Sequence, residues 1–252
     1  MENTTVTKKE NMISVKELFN RSFAVYKTVF WPAMKMLLVS FLAVIPLVLT
    51  IGIYATIYVI TPDNNIFMLL NIVLGLLGLA AIIFFIVVMY IAQIAIMIIV
   101  QKNDPNLKLK DAFMMAKAKA LDFLGTSLLA GLLVLLWMLL LVVPGIIMAI
   151  HYTFISWVVL KENLFGMAAI KRSKSLVKNY WWAVAGRTIL PTIIIMVIFG
   201  ILSSFMVSED GSGQKSYDFI SQVFSWVATP FFVAYSYNMY KSLVKIKDNK
   251  QV

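Results

Sequence analysis

The sequence predicts an all-α protein, a polytopic membrane helical bundle of about six transmembrane helices with three cytoplasmic interfacial amphipathic helices. Hydrophobic residues make up 61% of the 252 residues and charged residues only 13%, against roughly 45–50% and about 25% in globular domains. The apolar residues form blocks long enough to cross a bilayer, for which about 20 residues suffice. Lys and Arg are concentrated between alternate blocks, which is typical of the cytoplasmic side of a membrane protein.

The chain divides into three predicted units, each made of an interfacial helix and a hairpin of two spans. In the first unit, apolar residues recur at helical spacing, and Ser14 with Glu17 forms the S-x-x-E pattern that begins many helices. Such a helix lies in the membrane interface. We expect a kink at Pro46 in the first span. The units are 13–107, 108–163 and 164–252, with interfacial helices at 14–30, 107–124 and 166–181 and spans at 32–60, 66–100, 126–143, 146–160, 183–206 and 219–240.

The turn between the third and fourth spans is predicted at Pro144-Gly145. Proline cannot continue the hydrogen bonding of a helix, and glycine accepts unusual dihedral angles. The fourth span, 146–160, is near the lower length limit for crossing a bilayer. It either crosses the membrane or forms a re-entrant or interfacial segment.

An internal repeat supports the division into three units, because periodic self-similarity often defines an architecture. When the three interfacial helices are aligned, small and apolar residues coincide. Lys119 falls on the apolar stripe of the second helix, so the match is imperfect there. The aligned sets are the pairs Leu18-Phe19, Ala112-Phe113 and Ala169-Ile170, then Ser22, Ala116 and Ser173, and then the pairs Val29-Phe30, Phe123-Leu124 and Tyr180-Trp181.

The distribution of charge predicts the orientation. Five Lys or Arg residues precede the first span, five lie in 101–122, five in 161–178 and four in the C-terminal tail, whereas the loops on the other side contain only Lys215. The positive-inside rule then places both termini and all three amphipathic helices in the cytoplasm of a multi-pass protein of the cell (plasma or inner) membrane. Because the first twelve residues are polar, we expect no cleaved signal peptide.

The central stretch PGIIMAIHYTFISWVVL, followed by AAIKRSKSLVKNYWW, resembles the glycerophosphodiester phosphodiesterase membrane-domain superfamily, which includes the YciC-type uncharacterised bacterial inner-membrane proteins. Its members similarly join a Pro-Gly-Ile turn, a short aromatic-bearing span and an interfacial helix of the form A-x-x-x-S-x-x-L-x-K-x-x-W. The matching positions are Pro144, Gly145, Ile146, Ala169, Ser173, Leu176, Lys178 and Trp181 or Trp182.

The resemblance implies a membrane module rather than a hydrolase. Some members attach this module to a soluble phosphodiesterase barrel, and we expect no such barrel here because the chain ends twelve residues after its last predicted span. Relatives often have glycine after the motif lysine, where this chain has Asn179. We therefore expect the third interfacial helix to continue through Asn179.

Two ionisable residues fall inside predicted spans, and such residues are candidates for function because their charged forms are costly in hydrocarbon. His151 has no Asp or Glu in any predicted span to act as a proton-relay partner. A neutral imidazole bonded to a backbone carbonyl or hydroxyl is the favoured interpretation. Arg187 is expected to extend back to the headgroups, and the alternative is an anion contact, since arginine suits phosphate.

Four cations of the third interfacial helix are predicted contacts for anionic lipid, which attracts such residues by about 1 kcal/mol per charge. Membrane topology alone would also produce these charges, so lipid specificity does not follow. The four residues are Lys171, Arg172, Lys174 and Lys178.

Catalytic function is not expected, because the sequence contains no H-E-x-x-H, Walker A or G-x-S-x-G pattern. With no cysteine and one histidine, we also expect no metal site and no cofactor. We attribute the net charge of +10 to Lys and Arg on the cytoplasmic side of a membrane protein rather than to nucleic-acid binding. The remaining functions are a lipid-associated scaffold that binds other membrane or envelope proteins and, as the alternative, a small-molecule or lipid transporter of the permease or flippase kind.

Overall fold

The structure of the protein, a computed structural model, describes residues 12–60, 65–207 and 213–249. Within these ranges every regular element is helical. The helices in chain order are α1 (Val15–Phe41), α2 (Ile45–Ile60), α3 (Asn65–Lys102), α4 (Leu109–Leu140), α5 (Val142–His151), α6 (Ile155–Glu162), α7 (Gly166–Val177), α8 (Trp181–Met206) and α9 (Gln214–Asp248), with a 3₁₀ turn at Leu42–Val44 between α1 and α2.

Five helical segments of the described chain are long and apolar enough to cross a membrane by length and composition. This confirms the predicted all-α class, and the five apolar helices support a multi-pass membrane protein. The sixth predicted span, 219–240, lies in α9, which is not one of the five because Ser, Tyr, Asn and Lys interrupt its apolar runs. Six crossings therefore stay a prediction. The five segments are Val15–Val59, Met68–Lys102, Leu109–Leu140, Val142–Glu162 and Trp181–Met206.

The chain forms two compact units. One comprises the described parts of 1–27 and 121–252, and the other comprises 28–120. All the predicted site residues belong to the first of these, which holds the start of α1, the second part of α4 and all of α5 to α9. Within this unit α7 packs against α5, α6 and α9, and α8 packs against α5 and α9. The division of the sequence into three repeats, each an interfacial helix and two spans, stays a prediction.

Two of the predicted interfacial helices are continuous with the spans that follow them. Helix α1 runs through the predicted boundary and contains Pro32, and α4 likewise passes from its polar into its apolar half without a break. Helix breaks therefore do not mark where these predicted interfacial helices end and their spans begin. A continuous helix keeps its backbone groups hydrogen-bonded, which an apolar environment requires.

Near Pro46, where the sequence predicts a kink, the helix changes to 3₁₀ geometry within the compact unit 28–120. A 3₁₀ turn begins at Leu42 and separates α1 from α2. Leu42 lies four residues before Pro46, and proline clashes with the carbonyl at that position while providing no N–H for it. The local change from α to 3₁₀ geometry relieves both problems.

The predicted reversal at Pro144-Gly145 is wrong, because these residues lie in the first turn of α5. The chain turns at Leu141, whose backbone is extended with φ −158° and ψ 136°. Proline is tolerated in the first turn because its missing N–H would be unpaired there anyway. Gly145 is buried, and a Cβ atom at this position would lie only 2.9 Å from the Cα of Met138 in α4.

Two further differences concern helix ends. The fourth predicted span is interrupted at 152–154, between α5 and α6. The third interfacial helix ends at Val177 rather than continuing through Asn179, which has a left-handed φ of 74°. Asparagine is one of the few non-glycine residues that visits this region routinely. It therefore allows the helix to end here, as glycine would.

Replacing Gly145 with alanine should destabilise the first unit by about 1–3 kcal/mol, the usual cost of overpacking a close contact. The new methyl group would meet the backbone of Met138, which cannot move as a side-chain end can. Gly131→Ala in α4 is the matched control, since a Cβ there meets nothing within 4 Å. Thermal unfolding in detergent, followed by circular dichroism, should show a lower midpoint for Gly145→Ala alone; equal midpoints would contradict the close approach of α4 and α5.

Candidate functional site

The predicted site residues lie on three neighbouring helices of the first unit. His151 is the last residue of α5, and Arg187 lies in the second turn of α8. Helix α7 and the residue after it carry the four cations Lys171, Arg172, Lys174 and Lys178. The structure gives these residues three different environments.

His151 is half-buried, and its ring Nδ1 lies 2.8 Å from the carbonyl oxygen of Ile147, one helical turn earlier. Because a carbonyl oxygen only accepts hydrogen bonds, this nitrogen carries the proton. The contact is the backbone hydrogen bond expected for a structural histidine. It ties the ring to the end of α5.

Ser173 closes the break that follows His151. Its hydroxyl is fully buried, donates a hydrogen bond to the His151 carbonyl at 2.8 Å and accepts one from the Phe154 backbone N–H at 3.3 Å. Both backbone groups lie at the ends of helices, where intrahelical partners are missing. One side chain of α7 thus satisfies the end of α5 and the start of α6. The sequence analysis included Ser173 in a motif but did not assign this role.

Helix α7 is also fixed at its beginning and along its length. The Gly166 backbone N–H donates to the hydroxyl of Thr126 in α4 at 2.9 Å. Ala169, Leu176 and Val177 are buried beneath the helix. Thus α7 packs into the unit through its buried apolar face, and hydrogen bonds to neighbouring helices hold it in place.

Arg172 is engaged inside the protein. Its Nε donates to Glu162 of α6 at 2.7 Å, and a second nitrogen lies 3.8 Å from Asp248 of α9. The hydroxyl of Tyr240 donates to the other Glu162 oxygen at 2.7 Å. These four residues connect three helices. Sequence reasoning missed this network because Tyr240 and Asp248 lie far from Arg172 along the chain, and Glu162, ten residues away, lies on another helix.

The remaining cations of this cluster face outward. The side chains of Lys171, Lys174 and Lys178 are exposed, and none forms an ion pair with any residue in the described chain. Lys247 of α9 donates to the carbonyl of Lys178 at 3.3 Å, which holds the end of α7 against α9. The result is an outward row of positive charge, which we call the lysine face (Lys171, Lys174, Lys178).

Arg187 has a different arrangement. Its guanidinium donates to the Ala183 carbonyl at 3.1 Å and to the Ile13 carbonyl, just before α1, at 3.0 Å. Ala183 lies one turn nearer the start of α8, so the side chain points back towards that end of the helix. The Nε atom is buried and has no hydrogen-bond partner among the described residues.

A cavity of about 640 Å³, which we call the Arg187 cavity, lies beside this guanidinium. Its walls are Met12, Arg187 and the start of α8 with the residues before it, 179–183. The rings of Trp181 and Trp182 meet edge to face with centroids 4.6 Å apart, and Trp182 is 83% exposed. The Trp181 indole N–H donates to the Ile147 carbonyl at 3.3 Å, which anchors one ring of the pair.

A second basic cavity, of about 610 Å³, lies between α1 and α9. Arg21, Lys241 and Lys245 contribute its cations. Arg21 forms an exposed ion pair with Glu17 on its own helix. Asn238 also lines this cavity and donates to the Ser22 hydroxyl at 3.2 Å, which joins α9 to α1.

Over the described residues, no group of three His, Cys, Asp or Glu side chains could hold a metal ion. No family model, no curated protein and no solved structure matches the chain. The chemistry of the site therefore rests on its own residues: an exposed lysine face, an internally paired Arg172 and an Arg187 that bonds only to backbone carbonyls in the described chain.

Replacing Glu162 with glutamine should lower the free energy of unfolding by about 1–3 kcal/mol, because a hydrogen-bonded charge joining α6, α7 and α9 is lost. Glu17→Gln is the matched control, since it breaks an exposed pair within one helix and should cost about 0.5 kcal/mol or less. Thermal unfolding in detergent measures both. Equal effects of the two substitutions would show that the Glu162 network does not hold the helices together.

Proposed function

We propose that the protein is a non-catalytic, lipid-associated scaffold or interaction module of the cell membrane, which binds anionic lipids and partner proteins of the envelope. The lysine face is the observation that carries this proposal. Three exposed cations without acidic partners in the described chain lie on α7 and the residue after it, and Ser173 and Thr126 fix this helix to the protein. Fixed charges of this kind attract an anionic membrane surface.

The proposed orientation places both termini and the lysine face in the cytoplasm of the plasma or inner membrane. The asymmetry of Lys and Arg between alternate loops supports it. The exposed Trp182 supports only the placement of the start of α8 at a membrane interface, because tryptophan is enriched at both interfaces. In this orientation, α9 makes the sixth crossing.

A threefold repeat of an interfacial helix and two spans is part of the proposal. Two of the aligned sets are fully buried in all three repeats, which supports common packing at these positions, whereas Phe19 is 51% exposed and the aligned Ile170 only 3%. The two aligned sets, each with 0% exposure, are Leu18, Ala112 and Ala169, and Ser22, Ala116 and Ser173.

We further propose that the chain is a membrane module of the glycerophosphodiester phosphodiesterase membrane-domain type. The residues that carry the resemblance have coherent roles: Gly145 allows α5 to approach α4, and Ser173 closes the break between α5 and α6. Asn179 takes the left-handed conformation for which relatives often have glycine. These roles support the motif as a unit of packing and involve no hydrolytic chemistry.

A transporter is the second candidate, and the interrupted segment of α5 and α6 is the observation that favours it. Transporters often place substrates beside broken helices, and Pro191 and Pro230 lie inside α8 and α9. Against it, the His151 ring bonds to a backbone carbonyl of its own helix. Solute flux into proteoliposomes, lost on substitution of His151 and Arg187, would favour the transporter over the scaffold.

Neutralising the lysine face should reduce the association of anionic lipid. The triple variant Lys171→Gln, Lys174→Gln, Lys178→Gln removes three charges, each contributing about 1 kcal/mol near an anionic surface. After purification from nanodiscs with equal amounts of phosphatidylglycerol and phosphatidylcholine, the variant should retain severalfold less phosphatidylglycerol than the unaltered protein does. Native mass spectrometry measures the retained lipid.

The corresponding triple Lys→Arg variant is the control, because it keeps the charge at the same positions. It should retain phosphatidylglycerol like the unaltered protein. Equal retention by the glutamine and arginine variants would contradict the lipid-binding role of the lysine face.

Single introduced cysteines can test the orientation, since the chain contains no cysteine. A membrane-impermeant maleimide applied to intact cells should label Asn64→Cys and Ser212→Cys. It should label Asn106→Cys and Lys174→Cys only after the membrane is opened. Labelling of Lys174→Cys in intact cells would reverse the proposed orientation and place the lysine face outside.

A further inference from the structure

Arg187 carries a charge that the described residues do not neutralise. A guanidinium remains protonated in proteins and offers five N–H donors. Two of its contacts are to backbone carbonyls, its Nε–H is buried without a partner, and no carboxylate of the described chain pairs with it. Because α8 is apolar enough to cross a membrane, an uncompensated charge here is costly. An anion beside it would remove that cost.

The Arg187 cavity has space and further donors for such an anion. It lies at the first turn of α8, where helix geometry leaves backbone N–H groups without intrahelical acceptors. Tyr180, the residue before the helix, supplies no side-chain cap for these groups. A phosphate group is favoured at helix N-termini by these N–H groups and by the helix dipole. The arginine fork adds geometric preference for phosphate oxygens.

We propose that the Arg187 cavity binds one phosphate group, with Arg187 and the first backbone N–H groups of α8 as its donors. The proposal rests on the proposed lipid-associated function and specifies a single site within it. The phosphate belongs to a lipid headgroup or to a free phosphate compound, which share this chemistry. The exposed Trp182 ring lies beside the cavity at the level where headgroups meet tryptophan.

This site is distinct from the lysine face. Lys171, Lys174 and Lys178 do not line the Arg187 cavity, so a diffuse attraction of lipid to these lysines does not require it. The Arg187 cavity should saturate with one ligand per chain, whereas the lysine face should bind lipid without a fixed number. A substitution in one place should therefore leave the other intact.

Isothermal titration of the full-length protein in a non-ionic detergent tests the proposal with two probes, dihexanoyl phosphatidylglycerol and inorganic phosphate. Arg187→Gln should weaken binding by roughly tenfold or more, the usual effect of losing hydrogen bonds to a charged group. Ala183→Leu should weaken it similarly by filling the cavity while keeping Arg187. Lys215→Gln, which removes an exposed charge outside both the Arg187 cavity and the lysine face, should change affinity by less than about twofold.

The two probes distinguish the sources of the phosphate. Arg187-dependent binding of the lipid alone assigns a headgroup, and equal Arg187-dependent binding of inorganic phosphate assigns a free phosphate compound. Arg187→Gln also loses the contact with Ile13. If it does not fold for that reason, the affinity of Ala183→Leu for the two probes decides whether the cavity is the binding site. The proposal is overturned if neither probe binds the unaltered protein, or if the folded cavity variants bind within about twofold of it. Loss of lipid from the lysine triple variant alone bears only on the lysine face.

Discussion

In a chain as apolar as this one, every break in a helix leaves backbone N–H and C=O groups that need a partner inside the protein. The break between α5 and α6 is closed by the hydroxyl of Ser173, which bonds to the His151 carbonyl and the Phe154 N–H. The rest of the first unit depends on this contact. It fixes α7 against two short helices that would otherwise have unpaired ends.

Other breaks in this unit are resolved in the same way, by a side chain of one helix and the backbone of another segment. Thr126 accepts from the start of α7, and Trp181 donates to α5. Arg187 donates to the segment before α1, and its own carbonyl accepts from Tyr235. Polar side chains in this apolar fold therefore serve mainly to join helices, and the cations that remain exposed on α7 are held in fixed positions.

The cations on α7 and α8 differ in what neutralises them. Arg172 is paired with Glu162 and Asp248 and contributes to packing. The lysine face is exposed to solvent or headgroups, and Arg187 bonds to carbonyls that carry no net charge. This separation connects the structure to the proposed function: one cation holds helices together, three present a surface, and one lies beside the Arg187 cavity, the proposed phosphate site.

The sequence by itself determined the all-α class, the apolar segments and the break before Pro46, because composition and local sterics decide these features. It also identified Arg187 and the α7 cations as candidates, since charges beside apolar runs are visible in any sequence. Only the tertiary structure decided that Pro144 lies in the first turn of α5, that Arg172 is paired and that Ser173 closes a break. Each of these depends on a contact with a residue distant in sequence or on another helix, such as Met138, Glu162 or Tyr240. Periodicity and charge counts carry no information about such pairs, because they describe each segment separately.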